Sequence, residues 1–576
     1  MRERRRRGLP RRGRTREARR ETGRRTCSPA GGRPAWRAAR RSAPSARPTR
    51  PEAPVSPDGA RERKRPVDAP RSLWIESTPE TSYPALADGL EVDIAVVGGG
   101  IAGITAAFLL QREGRSVAVV DSKRILHGAT GYTTAKVTAG HSVSYSTLEG
   151  NFGREGARTY AEAQQGALEL VARLVEELAI DCDFERKANY VYAESPDERA
   201  TIEEEVEAAL RAGLAAELVE ETPLPYPVEC AFRLPGQAQF HPRKYLLRLA
   251  EAVAGDGGRI FEQTRATGIE GSGPCRVVTD RGTLTARDVV VSSHLPFLDR
   301  GFFFAKAHPE RSYAVACRIS REQDPEGMYI NLSPPTRSVR TAYDEGGLLL
   351  LLGGEGHKPG AEPDTHARYG ALEEFGRRHW GASEFPYRWS TQDYSPLDGV
   401  PYVGRLTRRG DHVYVATGFK KWGMTNGTAA AMILGDLVLG RDNPWAGLFD
   451  SKRLTPRASA PRFVKENATV ARHFVGDRLD RGEAAEVETV APGEGRMLRV
   501  RGRKTAVYRD EGGRVHALSP VCTHMGCHVG WNPAERSWDC PCHGSRFGGD
   551  GTVIQGPATR DLARRDLGTG SGDGTR

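Results

Sequence analysis

A short segment near residue 100 constrains the fold of this chain more than any other feature. The apolar run 92–97 leads into three spaced glycines, Gly98, Gly100 and Gly103, and a second apolar run, 116–121, follows after a helix-like stretch. The spacing G-x-G-x-x-G between a strand and a helix predicts a tight turn at the first glycine, close approach of a pyrophosphate at the second and close packing of helix on strand at the third. We therefore expect an α/β domain built around parallel strands.

The same segment predicts how a dinucleotide is held. The helix N-terminus offers free N–H groups and a partial positive charge to phosphates, and Ala102 lies within its first turn. Asp121 ends the second run 18 residues after Gly103, where a carboxylate accepts hydrogen bonds from the adenosine ribose. The motif alone leaves both NAD and FAD open.

Charge is distributed unevenly along the 576 residues. Residues 1–70 hold 23 Lys/Arg and 7 Asp/Glu, whereas the remaining residues hold 61 and 67, so the basic character comes from the N-terminus. This segment has too few aromatic and branched apolar residues to offset its chain entropy, and we predict a disordered basic tail. Such a tail could neutralise phosphates of nucleic acid or anionic lipid. Because no aromatic stacking positions accompany its arginines, we expect a solvated tail and no DNA or RNA partner.

No sequence signal for secretion or membrane insertion is apparent. The first arginines are not followed by an apolar core and a cleavage site, and the longest apolar run, 92–110, contains four glycines. We therefore predict a cytoplasmic protein without a transmembrane segment. Of nine cysteines, four lie between residues 522 and 542, a clustering that indicates metal chemistry rather than a secreted disulfide framework.

The cysteine cluster is interleaved with histidines. Cys522 and His524 form a C-x-H pair, Cys540 and His543 form a C-x-x-H pair, and 15 residues separate the pairs. Two thiolates and two imidazoles on short loops are the ligand set of a [2Fe–2S] centre in which histidines replace two cysteines on one iron. Tetrahedral zinc accepts the same donors, but the C-x-H spacing, the additional cysteines and the Gly-Ser after His543 favour the iron–sulfur centre.

Several segments resemble the FAD-dependent amine and amino-acid oxidase family, which includes glycine oxidase and gamma-glutamylputrescine oxidase. Besides the glycine-rich turn, they are 127–138 (HGATGYTTAKVT), 398–404 (DGVPYVG) and 413–425 (VYVATGFKKWGMT). The resemblance implies FAD as the dinucleotide, a segment that runs along the flavin and a late helix whose N-terminus points at the flavin ring. It assigns to these flavin-facing segments Gly128, Thr130, Thr133, Thr134, Gly418, Trp422, Gly423, Met424 and Thr425.

Residues 486–570 resemble the Rieske family of the respiratory-chain type. The resemblance implies that Cys522 and Cys540 bind one iron and that His524 and His543 bind the other. It also implies a disulfide between the loops, from Cys527 to Cys542. It also implies a hydrogen bond from Ser545 to a bridging sulfide. Phe547 stands where many high-potential members have tyrosine, so we expect a midpoint in the lower part of the Rieske range of about −150 to +300 mV.

The sequence defines the substrate site less well. The residues at positions where the oxidase family often places its active site are Trp389, Gln392, Asp393, Tyr394 and Trp422. Isolated aromatic residues more often belong to a core than to a binding site. His141 and His241 are candidate proton acceptors only in the sense that any histidine is, and we assign no catalytic base.

A second dinucleotide-binding unit is not apparent. The strand-like run 346–355 ends in a turn, and the following GHKPG breaks any helix after it, so direct oxidation of an organic substrate is favoured over NAD(P)H-driven reduction. Helix-like runs at 158–178 and 199–218 alternate with strand-like runs at 187–193 and 348–352. This alternation suits an inserted substrate domain that covers the flavin ring.

These observations predict a chain divided into four segments. They are a disordered basic tail at 1–70, an FAD-dependent oxidoreductase domain at 71–443 with interleaved FAD-binding and substrate subdomains, a linker at 444–488, and a Rieske [2Fe–2S] domain at 489–576. The expected fold is an α/β FAD-binding Rossmann-like domain with an inserted α+β substrate domain, followed by a small all-β domain.

The predicted function joins the two redox groups. An FAD-dependent oxidoreductase would oxidise a CH–NH or CH–NH2 donor, an amine or amino acid, and pass electrons through the Rieske cluster to an acceptor. The sequence leaves that acceptor open among a quinone, a ferredoxin and oxygen. Two alternatives are a flavoprotein reductase fed by a ferredoxin, and a non-catalytic redox sensor or nucleic-acid-associated module that uses the basic tail.

Overall fold

The computed structural model describes residues 70–87, 89–408, 412–479 and 486–567. The predicted basic tail therefore lies outside the described residues, apart from Pro70. Among the described residues, no helix combines the length and the apolar character that a membrane span requires.

The region from residue 70 to residue 479 alternates strands with helices. Its strands are β1 Leu90–Val97, β2 Val117–Val120, β3 Lys136–Val137, β4 Glu185–Ala193, β5 Glu217–Val219, β6 Cys230–Gln239, β7 Arg259–Phe261, β8 Ala266–Glu270, β9 Cys275–Thr279, β10 Thr283–Val291, β11 Ala307–Arg318, β12 Gly327–Asn331, β13 Arg337–Asp344, β14 Gly347–His357, β15 Tyr387–Pro396, β16 Tyr402–Arg405 and β17 Val413–Thr417. Its helices are α1 Leu73–Glu76, α2 Ile101–Arg112, α3 Tyr145–Glu177, α4 Arg199–Arg211, α5 Pro242–Gly255, α6 Phe303–Lys306, α7 Thr365–Trp380, α8 Gly423–Val438, α9 Ala446–Phe449 and α10 Pro456–Leu479.

The first sheet contains the predicted strand–turn–helix–strand unit. Its order is β16-β17-β10-β1-β2-β7, with β8 and β9 attached at β10, and the neighbours β10, β1, β2 and β7 run parallel. Ile94 and Val96 of β1 belong to one core cluster and Ala95 and Val97 to another. Because a parallel sheet is covered on both faces, its strands need continuous apolar runs, as the buried residues 94–97 show. The carboxyl ends of β1, β2 and β10 meet at one edge of this sheet.

The second sheet builds the inserted subdomain. Its order is β15-β11-β14-β13-β12-β4-β6-β3, with β5 paired to β6, and α7 packs on β11 and β14. The strand-like runs 187–193 and 348–352 lie in β4 and β14, as predicted. The predicted helix 199–218 is wrong beyond Arg211. There α4 ends, because the chain turns at Gly213 with φ of 90°, and Leu218 belongs to β5.

The segment 444–488 is more regular than its composition suggests. It contains α9 and α10, the second of which has 24 residues. Its role as the linker between the two domains, and the other domain boundaries, stay predictions.

Residues 486–567 form a small all-β region. Its strands are β18 Gly495–Val500, β19 Arg503–Arg509, β20 Val515–Leu518, β21 Gly530–Asn532, β22 Ser537–Asp539, β23 Arg546–Gly548 and β24 Val553–Gln555. The sheet β18-β19-β20 and the sheet β21-β22-β23-β24 are both antiparallel. Leu518, Trp538 and Phe547 pack together with the four clustered cysteines. The predicted fold class is confirmed in both parts of the chain.

Candidate functional site

The glycine-rich turn joins β1 to α2 at the sheet edge where the strands end. Gly98 has φ of 108°, and a Cβ atom there would lie 2.6 Å from the carbonyl oxygen of Ser292. A Cβ atom at Gly103 would overlap the carbonyl oxygen of Gly98. The turn therefore requires glycine at both positions, and it leaves the N-terminus of α2 accessible to a ligand.

Asp121 follows β2 and braces this turn. Its Oδ2 accepts a hydrogen bond from the Gly99 amide at 2.8 Å, and its Oδ1 accepts one from the Lys123 amide at 2.9 Å. Burial raises the pKa of Asp121, and these amide hydrogen bonds act in the opposite direction. The carboxylate is thus held beside the turn, in the position predicted to receive a ribose.

A cavity of about 590 Å³ runs from Asp121 to the N-terminus of α8. The predicted cofactor-binding residues that line it are Gly98, Gly100, Ala102, Asp121, Gly128, Thr130, Thr133, Thr134, Trp422, Gly423 and Met424. Gly103, Gly418 and Thr425 do not line it. Gly103 packs α2 on the turn, Gly418 packs on Pro396 with φ of 79°, and Thr425 donates a hydrogen bond to the carbonyl of Thr138 at 3.0 Å.

The residues of this cavity fit FAD. One end offers the turn and Asp121 to an adenosine diphosphate, and the other offers the first residues of α8 to a flavin ring, as the resemblance implies. Ser293 lines the cavity, and its buried hydroxyl has no hydrogen-bond partner, which a bound polar group would supply. The contact of each predicted residue with FAD stays a prediction.

The predicted substrate residues divide into two groups. Trp389, Gln392, Asp393 and Trp422 line the cavity, whereas Tyr394 is fully buried outside it. Trp389 donates its indole N–H to the carbonyl of Tyr132 at 2.9 Å.

Neither predicted histidine lines the cavity. His141 bonds to Tyr160 and Thr138, and His241 accepts from the Lys244 amide as the N-cap of α5. Burial lowers the pKa of both histidines to about 3, so both are neutral near pH 7. These rings support the structure and are unsuited to accept a substrate proton.

Sequence reasoning missed several charged residues of the cavity wall. Glu310 of β11 and Lys421, which precedes Trp422, form an ion pair of 2.6 Å in the wall. Lys136 also lines the cavity, and its Nζ bonds to Ser338 at 2.7 Å and to the carbonyl of Tyr329. Burial lowers the pKa of Lys136 to about 7. Lys421 lies within a recognised motif, but no local pattern marks Glu310 as its partner.

The four predicted cluster ligands lie together in the C-terminal domain. The imidazole rings of His524 and His543 have centroids 5.1 Å apart, and the Cys522 and Cys540 thiols are hydrogen-bonded to each other. This hydrogen bond lowers the pKa of Cys522, with help from the His524 amide and the Ser545 hydroxyl, and raises the pKa of Cys540. Two thiols in contact can bind one metal ion when both are deprotonated.

The histidines are also prepared to bind a metal. His524 Nδ1 is buried without a hydrogen-bond partner, while its Nε2 lies 3.3 Å from Oδ1 of Asp299. A carboxylate on one ring nitrogen leaves the other free as a metal ligand. Burial, and secondarily the neighbouring His524, lower the pKa of His543 to about 4, which keeps its ring neutral as ligation requires. This donor set fits a [2Fe–2S] cluster.

A disulfide joins Cys527 to Cys542, the pair that the Rieske resemblance implies. The sulfur of Cys540 lies within 4.8 Å of both disulfide sulfurs, but these are already bonded to each other and are unavailable as thiolate ligands. The Ser545 hydroxyl donates to the Cys522 sulfur and accepts the Ala558 amide at 3.0 Å.

Comparison with protein families assigns the class of both parts. Residues 93–437 match the family model DAO, FAD dependent oxidoreductase, and residues 481–565 match the Rieske [2Fe-2S] domain. The chain thus belongs to the DAO family of FAD-dependent oxidoreductases and carries a C-terminal Rieske domain, with FAD and a [2Fe–2S] cluster as its cofactors.

Individual relatives share this arrangement in whole or in part. The chain is 38% identical over 502 residues to YhfW of Bacillus subtilis strain 168, which is named as a Rieske 2Fe-2S iron-sulfur protein. The matched region covers 87% of this chain and 98% of that relative. It is 26% identical to gamma-glutamylputrescine oxidoreductase of Escherichia coli K12, over 66% of this chain and 89% of that protein. Glycine oxidase of Geobacillus kaustophilus shares the fold, with a TM-score of 0.55, 20% identity, and coverage of 64% of this chain and 100% of its own.

Proposed function

We propose that the protein oxidises the C–N bond of an amine or amino acid and delivers the electrons one at a time through its Rieske domain to an external acceptor. The oxidised substrate is an imine, which water hydrolyses to a carbonyl compound and an amine or ammonia. Bound FAD supplies the two-electron chemistry and the cluster supplies one-electron steps. The relatives named for gamma-glutamylputrescine and glycine support an amino substrate.

The cavity wall offers partners to such a substrate. Glu310 and Lys421 present a carboxylate and an ammonium group beside Trp422, where the flavin ring is predicted to lie. An amino acid carries both complementary charges, so it can bind Lys421 through its carboxylate and Glu310 through its amino group. The pair therefore orients the substrate.

The observation that carries the proposal is the direct contact between the cavity wall and the predicted cluster loop. Gln392 lines the cavity, and its Nε2 donates to the carbonyl of Gly544 at 2.8 Å. Tyr394 donates its hydroxyl to the carbonyl of His543 at 2.9 Å. A Cβ atom on Gly544 would lie 2.4 Å from Gln392, 2.9 Å from Tyr394 and 2.8 Å from Pro309. The loop therefore fits closely against β15 and β11. A route of bonded and hydrogen-bonded atoms links the two redox sites.

The two histidines predicted to bind the cluster also pack against residues of the oxidoreductase domain. The Phe304 ring lies 5.4 Å from the His543 ring and 6.0 Å from the His524 ring, and Asp299 bonds to His524. Both histidines are nearly buried. Electrons from the cavity therefore reach the cluster within one molecule, without a diffusing carrier.

Anaerobic mixing with primary amines, secondary amines and amino acids tests the proposal. An active substrate should first bleach the flavin absorbance and then produce the EPR signal of a reduced Rieske cluster. A Lys421→Met and Glu310→Gln double variant serves as the matched control, because it should slow bleaching while dithionite still reduces its cluster. A cluster that stays oxidised beside fully reduced flavin would refute the proposal.

A further inference from the structure

The wall of the FAD cavity is not built by the FAD-binding fold alone. Part of it comes from β24 and the loop that follows, which belong to the Rieske family match. The cavity-lining residues of this segment are Ile554, Gln555, Gly556, Ala558 and Thr559. Glu535 and Arg546 of the same domain also line the cavity.

Hydrogen bonds fasten β24 to residues that themselves line the cavity. Arg265 Nη2 donates to the carbonyl of Val553 at 3.1 Å. Gln555 Nε2 lies 2.8 Å from His294 Nδ1, and His294 Nε2 lies 3.0 Å from Asp393 Oδ1. One tautomer satisfies both contacts, with Nδ1 accepting from Gln555 and Nε2–H donating to Asp393. The strand is therefore attached at both of its ends.

The hairpin between β21 and β22 anchors the domain a second time. The Arg311 guanidinium is fully buried in β11 and lies 2.9 Å from Oε2 of Glu535. Ser390 and Tyr369 donate hydroxyl hydrogen bonds to Oε1 of Glu535 at 2.7 and 3.0 Å. Separation of the domains would leave Arg311 without its anion, and an unpaired buried charge is strongly unfavourable.

Positive charge gathers at the end of the cavity predicted to hold the adenosine diphosphate. Lys123 and Arg265 line it there, and the Thr264 amide next to Arg265 donates to the carbonyl of Asp121 at 2.8 Å. Burial lowers the pKa of Lys123 to about 8, and the charges of Arg546 and Arg265 add to this effect. A diphosphate anion would offset this repulsion. Arg546, the cation that the Rieske domain contributes to the cavity wall, is paired with Asp539 at 3.0 Å.

We propose that the FAD site is composite: the Rieske domain supplies part of its wall, so that FAD binding and the docking of this domain stabilise each other. By linkage, whatever docking contributes to FAD affinity, FAD contributes equally to docking. This inference concerns cofactor binding only and requires no particular substrate or electron acceptor.

Hydrogen–deuterium exchange of the full-length protein tests the inference directly. FAD is removed under mild conditions that preserve the cluster, as its absorbance shows, and the exchange is compared with and without added FAD. FAD should slow exchange in residues 530–539 and 553–559, and leave β18 and β19 unchanged. Slowing confined to the glycine-rich turn and the start of α8, with none in residues 530–559, would overturn the inference.

A charge reversal provides a second test. Glu535→Lys places a cation beside Arg311, and we expect the FAD dissociation constant to rise at least tenfold while the EPR signal of the cluster persists. The matched control is Glu511→Lys, because Glu511 is 56% exposed in the same domain, forms an ion pair with Arg536 and does not line the cavity. An intact cluster with FAD affinity within twofold of wild type in Glu535→Lys would contradict the inference. If that variant lost its cluster, the exchange experiment would still decide the matter.

Discussion

At the scale of single residues, substrate selection depends on the ion pair in the cavity wall. If Lys421 binds a substrate carboxylate, Lys421→Met should raise KM for amino acids about tenfold or more and change KM for simple amines much less. Glu310→Gln should weaken both classes, because both carry the amino group. Steady-state kinetics with matched pairs, an amino acid and its decarboxylated amine, measure the difference. Equal changes for the two members of each pair in Lys421→Met would contradict the assignment.

Gln392 and Tyr394 connect the cavity to the predicted cluster loop. Gln392→Leu and Tyr394→Phe each remove one hydrogen bond to that loop, so the cluster should be reduced several-fold more slowly after substrate mixing, while flavin bleaching keeps its rate. Stopped-flow absorbance and freeze-quench EPR separate the two events.

Gln111→Leu is the control for these variants, because it removes a similar hydrogen bond, from Gln111 Nε2 to the carbonyl of Val253 at 2.9 Å, in a region that does not line the cavity. The cluster potential should stay the same in all three variants. Unchanged cluster reduction in the Gln392 and Tyr394 variants would exclude this route.

Phe547 should influence the potential of the cluster. It is fully buried beside Trp538, and unlike tyrosine it offers no hydroxyl to a cluster sulfur. We expect a wild-type midpoint in the lower part of the range of about −150 to +300 mV, and an increase of about 50 mV in Phe547→Tyr if one hydrogen bond is gained. An EPR-monitored redox titration measures both values. A wild-type midpoint near the top of the range would show that Phe547 does not set the potential.

At the scale of secondary-structure elements, the N-cap of α5 makes stability depend on pH. The pKa of His241 is about 3 in the folded protein, below the usual 6.5, so the unfolded chain binds a proton first as the pH falls. The contribution of His241 to stability should therefore fall from about pH 6.5 downward, by about 2 kcal/mol at pH 5. His241→Asn keeps a capping side chain and removes the titration, so its stability should vary less over this window.

Urea denaturation at pH 5 and pH 7 measures this contribution. His366→Asn is the control, because His366 is exposed on α7. Equal pH dependence in wild type and His241→Asn would disprove the role assigned to His241.

At the scale of the whole molecule, the two redox domains should lose their structure together. They belong to one compact unit, and Glu535, Gln555 and Val553 tie the C-terminal domain to the cavity wall. We expect the release of flavin, monitored by its fluorescence, and the loss of cluster absorbance to have the same midpoint temperature on heating. Midpoints that differ by about 5 °C or more would indicate independent domains.

The parts of this molecule that can be predicted from the sequence are those in which the functional residues lie close together in one local motif. Gly98, Gly103 and Asp121 act within one strand–turn–helix–strand unit, so their spacing reveals them, and Cys522 and His524 are revealed in the same way. Glu535 and Gln555 could not be predicted, because their roles arise where two domains meet, and no periodicity or spacing encodes such a contact. The helix expected at 199–218 failed for a related reason, since pairing of β5 with β6 overrides the local preference of its last residues.

Because Phe304 packs against His524 and His543 and Asp299 bonds to His524, the predicted cluster should be shielded from collisions with small oxidants in the surrounding water. His543 is only 5% exposed, whereas Phe302, whose ring lies 6.0 Å from that of Phe304, and Met525, which follows His524, are 63% and 44% exposed. A stored electron should consequently survive many random encounters. The rate at which the cluster is reoxidised would then depend on whether an acceptor protein or a membrane-bound carrier can bring its own redox group into contact with the exposed apolar side chains of Phe302 and Met525.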